Sequence, residues 1–200
     1  MTGNRVRAYI GLGANLGEGR ENLLAAWRQL AAEPGITTLR LSRPWRSEPL
    51  VSDHRAPHLA TSGPAHVLRY ASPSRSPQPA APCDRLQWFT NAVGELETDL
   101  GAEQLLAVLL RIETEMGRDR RRQGFDRPID LDLLLYGEAI INLPHLVVPH
   151  PEMLGRRFVL EPLSELAPDL VPPGGRQTVA AVAAALAAAG EQRLTPGQWD

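Results

Sequence analysis

The order of the predicted elements constrains the fold of this chain more than any single motif does. Continuous or alternating apolar runs indicate strands, and apolar residues at every third or fourth position indicate helices. The resulting order is strand, helix, strand and again strand, helix, strand, over residues 5–12, 20–32, 36–45, 87–100, 102–117 and 127–137. A short extended piece at 145–151 and an Ala-rich helix ending at Gly190 are predicted to follow. This order predicts an α+β fold, a ferredoxin-like sandwich with an antiparallel sheet flanked by helices.

The last predicted strand, RPIDLDLLLYG at residues 127–137, carries two carboxylates within an apolar run. Because successive side chains of a strand point to opposite faces, Asp130 and Asp132 project from the same face. Their mutual repulsion, and any burial, must be compensated. Two interpretations remain open here: a ligand pair for a hard cation such as Mg²⁺, or a structural pair held by neighbouring arginines.

A basic run, GRDRRRQGFDR, lies immediately before these aspartates. It contains Arg118, Arg120, Arg121, Arg122 and Arg127. Such a run is typical of a solvated loop, but guanidinium groups also bind phosphate oxygens bidentately. The chain contains no lysine, which excludes a Walker-A lysine and a Schiff-base lysine. Arginines beside paired carboxylates favour a Mg-nucleotide site.

Aromatic and histidine residues add a second set of candidates. Phe89 and Asn91 lie two residues apart on one predicted strand, and Phe158 follows a pair of arginines. Two rings with an amide at the edge suit a flat heterocycle, although aromatic residues on strands commonly serve core packing. His150 is a candidate donor to a phosphate oxygen. His145 and His150 are not spaced as a zinc motif.

Glycine spacing at the N-terminus favours a turn over a nucleotide loop. The glycines of GLGANLG, at positions 11, 13 and 17, are one residue too widely spaced for a Rossmann G-x-G-x-x-G. We therefore interpret this stretch as structural.

Composition limits the possible partners. The 200 residues carry a net charge of −2, which argues against a dedicated nucleic-acid or anionic-membrane binder. No apolar run approaches the ~18 residues of a membrane span, and the N-terminal stretch lacks the apolar region of a secretory signal. One cysteine, Cys83, fits a reducing compartment, so we expect a cytoplasmic protein.

Residues 51–86 interrupt the regular pattern. The segment holds six of the 18 prolines and has no clear period, so we predict a flexible loop insertion within a single domain spanning residues 1–200. Its three histidines and its cysteine are too irregularly spaced to favour zinc: His54, His58, His66 and Cys83.

Six stretches, in this order, resemble the 6-hydroxymethyl-7,8-dihydropterin pyrophosphokinases of folate biosynthesis: YIGLGANLG, WRSEPL, QWFTNAV, IETEMGR, RPIDLDLLLYG and VPHPEMLGRRFVLEPL. The resemblance covers most of the chain apart from residues 51–86 and the C-terminal helix. It implies a ferredoxin-like fold, two Mg²⁺ ions, and transfer of the pyrophosphoryl group of ATP to the pterin hydroxymethyl with release of AMP.

The resemblance also implies roles for individual residues. Asp130 and Asp132 correspond to the Mg²⁺ ligands, and Arg118 and Arg127 to phosphate-contacting catalytic arginines. The positions that correspond to the ATP site are Glu113, Leu133, His145, His150 and Arg156. Those that correspond to the pterin site are Ser47, Leu50, Phe89, Asn91 and Phe158.

The chain departs from the family pattern at several places. Leu110 and Val147 stand where polar nucleotide contacts are often found, and a loop tryptophan is missing, with Phe125 at a shifted place. The insertion follows WRSEPL, in a loop that closes over the pterin in this family. Two other classes remain open: a catalytically impaired pterin- or nucleotide-binding homologue, and a ferredoxin-like RNA-binding module, which the absence of an RNP1 pattern disfavours.

Overall fold

A computed structural model describes residues 5–49, 88–119, 127–190 and 192–199. Within these ranges, six strands form one antiparallel sheet: β1 (Val6–Ala14), β2 (Ile36–Leu41), β3 (Trp45–Ser47), β4 (Phe89–Thr98), β5 (Asp130–Tyr136) and β8 (Leu194–Pro196). Four α-helices are α1 (Gly19–Ala32), α2 (Ala102–Glu115), α3 (Arg157–Leu166) and α4 (Val179–Ala189). A separate hairpin consists of β6 (Ile141–Leu143) and β7 (Leu146–Val148). A 3₁₀ turn at Met153–Gly155 precedes α3.

The strand order is β5–β1–β4–β3–β8, with β2 also paired to β4. β4 pairs with β1 along its length, from Val6 opposite Thr98 to Ala14 opposite Thr90. Its other edge is shared by β2 and β3. Each of the two strand–helix–strand units contributes one central and one outer strand, which is the ferredoxin-like arrangement predicted from the sequence.

The sheet separates two apolar cores. Alternation along β1 sends Ala8, Ile10 and Leu12 toward α1 and α2, and Tyr9 toward α3 and α4. The first core takes its helix residues from α1 and α2, namely Leu23, Ala26, Leu30, Leu105, Leu109 and Ile112. The second takes its helix residues from α3 and α4, namely Val159, Leu160, Leu163, Leu166, Val179 and Ala183. Helices therefore cover both faces of the sheet.

Several features of the fold differ from the sequence-based expectation, among them β6, which was not predicted. The strand predicted at 36–45 is two strands, β2 and β3, separated by residues 42–44, where the Ser42 hydroxyl accepts a hydrogen bond from Val93 N at 3.0 Å. α3 forms where no helix was predicted, with Pro162 inside it. β8 was also not predicted.

Other elements agree with the prediction. α4 ends at Gly190, whose φ of +73° is a left-handed conformation that favours glycine. β7 lies in the predicted extended piece. In the described ranges, no helix is both long and apolar enough to cross a membrane. The predicted insertion at 51–86 lies outside the described residues, so it stays a prediction, as does the single-domain assignment.

Candidate active site

A cavity of about 180 Å³ opens at the end of the sheet where β1, β4 and β5 meet the start of α3. Its lining comes from these elements, from the end of β3 and from the C-terminal segment before β8. The lining residues are Gly11, Leu12, Gly13, Ser47, Glu48, Pro49, Phe89, Asn91, Ala92, Arg127, Asp130, Asp132, Arg156, Phe158, Val159 and Gln192. Most residues predicted for the metal and pterin sites are thus brought together.

Two glycines in β1 explain why the cavity exists. Gly11 and Gly13 lie on the same face of β1 as Tyr9, which packs under α3. They have no side chain, so the sheet surface is uncovered at this end. A Cβ at Gly13 would come within 3.3 Å of Asn91 Oδ1, so glycine also makes room for this amide. Of the predicted GLGANLG turn, only the part after Ala14 is a turn, with Gly17 at a φ of +61°; Gly11 and Gly13 lie in β1 and line the cavity.

The two aspartates of β5 both face the cavity, as strand alternation predicted. Burial, followed by repulsion from Asp130, raises the pKa of Asp132 above its usual range. Electrostatic interactions with His150, Arg156 and Arg127 act in the opposite direction and lower this pKa. The Asp132 carboxylate is therefore a half-buried acidic group whose charged form a bound cation would stabilise.

Two arginines compensate the negative charge of Asp130. Arg127 Nη1 donates to Asp130 Oδ2 at 2.5 Å, and Arg118 Nη1 donates to Asp130 Oδ1. Asn15 fixes the backbone of Arg127, because its Oδ1 accepts from Arg127 N at 2.8 Å and its N donates to Arg127 O at 3.2 Å. The turn after β1 thus positions a cavity arginine beside the aspartates.

Glu113 supports the site from behind. This carboxylate on α2 is buried, pairs with Arg118 and accepts a hydrogen bond from Leu131 N at 2.8 Å. Leu131 lies between the two cavity aspartates. The contact therefore ties α2 and Arg118 to the central residue of the acidic motif.

Two phenylalanines supply the aromatic surface of the cavity. The guanidinium carbon of Arg127 lies 5.9 Å from the Phe89 ring centre, and that of Arg156 lies 5.6 Å from the Phe158 ring centre. Both distances permit cation–π attraction. Each ring thus lies next to a cation that also lines the cavity.

A polar edge lies beside the rings. Asn91 Nδ2 donates to Ser47 Oγ at 2.9 Å, and both side chains are buried. Because this pair joins β4 to β3, the position of the two polar groups is set by the strand register, in which Trp45 lies opposite Asn91. Groups held in this way can read the edge of a heterocycle by hydrogen bonding.

Several residues predicted for the nucleotide site lie elsewhere. His145 is exposed, and its Nε2 lies 2.7 Å from Glu103 Oε1. The Leu133 side chain is buried in the core, which leaves only its backbone for a ligand. His150 N donates to Leu134 O at 2.9 Å, beside the cavity but not in its lining. Leu50, which was predicted for the pterin site and not for the nucleotide site, lies outside the described residues. The nucleotide roles of these residues stay predictions.

The donor set fits Mg²⁺. Among the described residues, no three His, Cys, Asp or Glu side chains converge on a metal position. Mg²⁺, however, is usually bound by one or two carboxylates together with substrate phosphates and waters. Asp130 and Asp132, both facing one cavity, match that requirement.

Some cavity residues were not found from the sequence. Glu48 and Pro49 belong to the WRSEPL stretch, but no pattern singled them out. Gln192 follows the predicted C-terminal helix, outside every recognised motif. Their place in the cavity results from the pairing of β8 with β3, which no local sequence pattern predicts.

Known proteins resemble this chain over most of its length. A family model described as 7,8-dihydro-6-hydroxymethylpterin-pyrophosphokinase (HPPK) matches residues 54–168. A 2-amino-4-hydroxy-6-hydroxymethyldihydropteridine pyrophosphokinase of Pseudomonas aeruginosa is 38% identical over 170 residues, covering 85% of this chain and 86% of that protein. A protein of the same description from Methylorubrum extorquens is 36% identical over 188 residues, covering 94% of this chain and 98% of that one.

Solved structures share the fold at low sequence identity. A crystal structure of an HPPK-DHPS in complex with substrates aligns with a TM-score of 0.63 at 13% identity, covering 94% of this chain and 44% of that one. The wild-type Plasmodium falciparum HPPK-DHPS aligns with a TM-score of 0.61 at 14% identity, covering 91% of this chain and 41% of that one. The chain spans less than half the length of these two proteins. The likeness confirms the ferredoxin-like sandwich and establishes the fold alone.

Proposed function

Since this chain belongs to the 7,8-dihydro-6-hydroxymethylpterin-pyrophosphokinase family, we propose that it transfers the pyrophosphoryl group of ATP to the hydroxymethyl group of 6-hydroxymethyl-7,8-dihydropterin. The observation that carries this proposal is one cavity that combines the two aspartates of β5, two arginines and two phenylalanines. The aromatic part suits a flat heterocycle, and the charged part suits a metal-bound polyphosphate.

The pterin binds at the aromatic and polar part of the cavity. Phe89 and Phe158 contact the faces of the ring, and the buried Ser47–Asn91 pair hydrogen-bonds to its edge. The Leu50 backbone or side chain adds to this edge, as the resemblance implies. Binding here places the hydroxymethyl group toward the aspartates of β5.

Asp130 and Asp132 would hold the two Mg²⁺ ions. Bound Mg²⁺ neutralises phosphate charge and polarises the phosphoryl oxygens of ATP. The raised pKa of Asp132 supports this role, because a carboxylate destabilised by burial and by a neighbouring carboxylate gains most from a cation. Arg118 and Arg127 pair with Asp130, and their guanidinium groups would also bind phosphate oxygens of the nucleotide.

The chemistry is a displacement at the β-phosphorus of ATP. The pterin hydroxyl oxygen forms a bond to the β-phosphorus and loses its proton, while the bond from that phosphorus to the α,β-bridging oxygen breaks and AMP leaves. The contribution of this chain is positioning and charge stabilisation. Arg156, which lines the cavity, and His150 are proposed to contact the nucleotide phosphates, and Glu113, Leu133 and His145 complete the proposed ATP positions.

The test follows AMP. Purified protein is incubated with ATP, Mg²⁺ and 6-hydroxymethyl-7,8-dihydropterin, and AMP is measured with and without the pterin. Pterin-dependent AMP, formed in step with the pyrophosphorylated pterin, supports the proposal. Calorimetric binding of both ligands without AMP would identify an impaired homologue, and an absence of both binding and turnover would overturn the proposal.

A further inference from the structure

Gln192 lines the active-site cavity from a part of the chain that no motif covers. It lies after α4 and two residues before β8, and only 9% of its surface is exposed. β8 pairs with β3, so the segment is held against the strand that ends at Ser47. The C-terminal segment thus brings a buried amide to the cavity.

Hydrogen bonds fix the orientation of this amide. The side-chain Nε2 of Gln192 donates to Glu48 O at 2.8 Å. The backbone carbonyl oxygen of Gln192 accepts from Arg157 Nη1 at 3.0 Å. A backbone carbonyl accepts only from the NH₂ end of an amide, so Nε2 and Oε1 cannot be exchanged. A further bond, from Glu48 N to Arg193 O at 3.3 Å, holds the same two segments together.

The amide oxygen has no donor among the residues that the structure describes. Gln192 Oε1 is buried, and no group among the described residues donates to it. Buried side-chain acceptors are nearly always paired, because an unpaired one loses its hydrogen bond to water without replacement. An unpaired acceptor on a residue that lines a substrate cavity therefore indicates a donor that arrives with the substrate.

The position of Gln192 selects which part of a substrate supplies this donor. Its amide contacts Glu48, the residue after Ser47, and Ser47 pairs with Asn91. These residues form the polar edge of the cavity. Asp130 and Asp132 lie on β5, which is separated from β3 by β1 and β4. The pyrimidine half of a pterin carries an amino group and a ring N–H, while phosphate groups carry no N–H. The unpaired oxygen thus suits the heterocycle.

We propose that Gln192 is a specificity-determining residue for the pterin: its amide nitrogen positions the Glu48 carbonyl, and its amide oxygen accepts a hydrogen bond from an N–H group of the pyrimidine edge. The terminal torsion of an amide side chain has a broad energy well, which permits the small adjustment that this contact requires. This inference rests on the proposed function, because it specifies how that site distinguishes its heterocycle.

The test compares Gln192→Met, which keeps the length of the side chain and removes both amide atoms, with Gln198→Met as the matched control. Gln198 lies on the same C-terminal segment, is exposed and is absent from the cavity lining. Calorimetry measures the Kd of 6-hydroxymethylpterin for protein to which Mg²⁺ and a non-hydrolysable ATP analogue are already bound. We expect the Kd of the pterin to rise roughly tenfold or more in Gln192→Met, as for loss of a buried hydrogen bond, and to stay unchanged in the control.

A second ligand separates recognition from general support of the fold. Two pterin analogues are tested, one without the 2-amino group and one methylated at the ring N–H. For at least one of these analogues, the Kd values of wild-type protein and Gln192→Met should differ less than their Kd values for the pterin do. The Kd of the ATP analogue should stay within about twofold, and the KM of the pterin should rise more than kcat falls. Equal losses for all ligands together with a lowered Tm would mean a structural role and would overturn the inference.

Failure of the inference is distinguishable from failure of the proposed function. If wild-type protein forms AMP and Gln192→Met binds the pterin as tightly as wild type does, only the role of Gln192 is wrong. If wild-type protein neither binds the pterin nor forms AMP, the proposed function is wrong, and the role of Gln192 is overturned with it.

Discussion

The Glu113 carboxylate accepts a hydrogen bond from the backbone amide of Leu131 at 2.8 Å. Glu113 is only 1% exposed and also pairs with Arg118, which in turn pairs with Asp130. A carboxylate of α2 thus fixes both the backbone between the two aspartates and the arginine that compensates one of them. The acidic motif is therefore held by an element 15 residues or more away in sequence, and not by β5 alone.

Removing this carboxylate should destabilise the protein. Glu113→Ala leaves Leu131 N–H and the Arg118 guanidinium without their buried acceptor, so we expect the free energy of unfolding to fall by about 3–5 kcal/mol. Glu113→Gln keeps an acceptor for Leu131 N and should lose less, about 1–3 kcal/mol. Urea denaturation measures both. Equal stability of Glu113→Ala and wild type would show that Leu131 and Arg118 find other partners.

The two aspartates of β5 should be needed for turnover and not for folding. Asp130→Asn and Asp132→Asn each remove a charged oxygen ligand, so AMP formation should fall by roughly 10³-fold or more. Because burial and Asp130 raise the pKa of Asp132, Asp132→Asn should be at least as stable as wild type in Mg²⁺-free buffer. Exposed Asp169 supplies the control variant, Asp169→Asn. Near-normal AMP formation by either cavity variant would rule out the metal assignment.

Arg127 should act in the transition state more than in folding. Its guanidinium bonds to Asp130 and lies over Phe89, but its side chain is 31% exposed. Arg127→Ala should lower kcat/KM by roughly 10³-fold, in line with other phosphoryl-transfer arginines, and change Tm little. Arg127→Lys keeps the charge without the planar fork and should be intermediate. Exposed Arg176→Ala is the control; if Arg127→Ala alters Tm alone, Arg127 has a structural role only.

Tyr9 should make the fold sensitive to high pH. Burial, and then the negative charge of Glu95, raises the pKa of this phenol above its ordinary value near 10. In the unfolded chain Tyr9 ionises near that ordinary value, whereas the folded chain resists ionisation, so stability is lost as pH rises above about 10. Tyr9→Phe should therefore lose less stability than wild type between pH 8 and pH 11. Parallel losses in urea denaturation at the two pH values would contradict the assignment.

The sequence predicted those parts of the fold that depend on local pattern. β1, α1, α2 and β5 follow from apolar periodicity, and the common face of Asp130 and Asp132 follows from strand alternation. α3 was missed because Pro162 interrupts its pattern, although α3 is stabilised by the core residues Leu160 and Leu163. Tertiary packing outweighed the local cost of that proline.

The site was predicted unevenly for the same reason. The arginine–aspartate adjacency is local, so it could be identified from the residues alone, and the pterin positions could be assigned only through family resemblance. The contact of Glu113 with Leu131 and the approach of Gln192 to Glu48 join residues 18 and 144 positions apart. Such contacts depend on how the sheet is assembled, and periodicity within one element does not contain that information.

Removing most of the predicted insertion should leave the sheet intact. Ser47 lies opposite Phe89 in the β3–β4 ladder, so the connection between them joins two chain ends that are already adjacent. Deletion of residues 52–85 leaves residues 48–51 and 86–88, which is enough for a short hairpin loop. We expect a soluble protein with wild-type circular dichroism and a cooperative thermal transition. AMP formation by the shortened protein then measures what the segment contributes to catalysis, and an insoluble product would show that the segment packs against the fold.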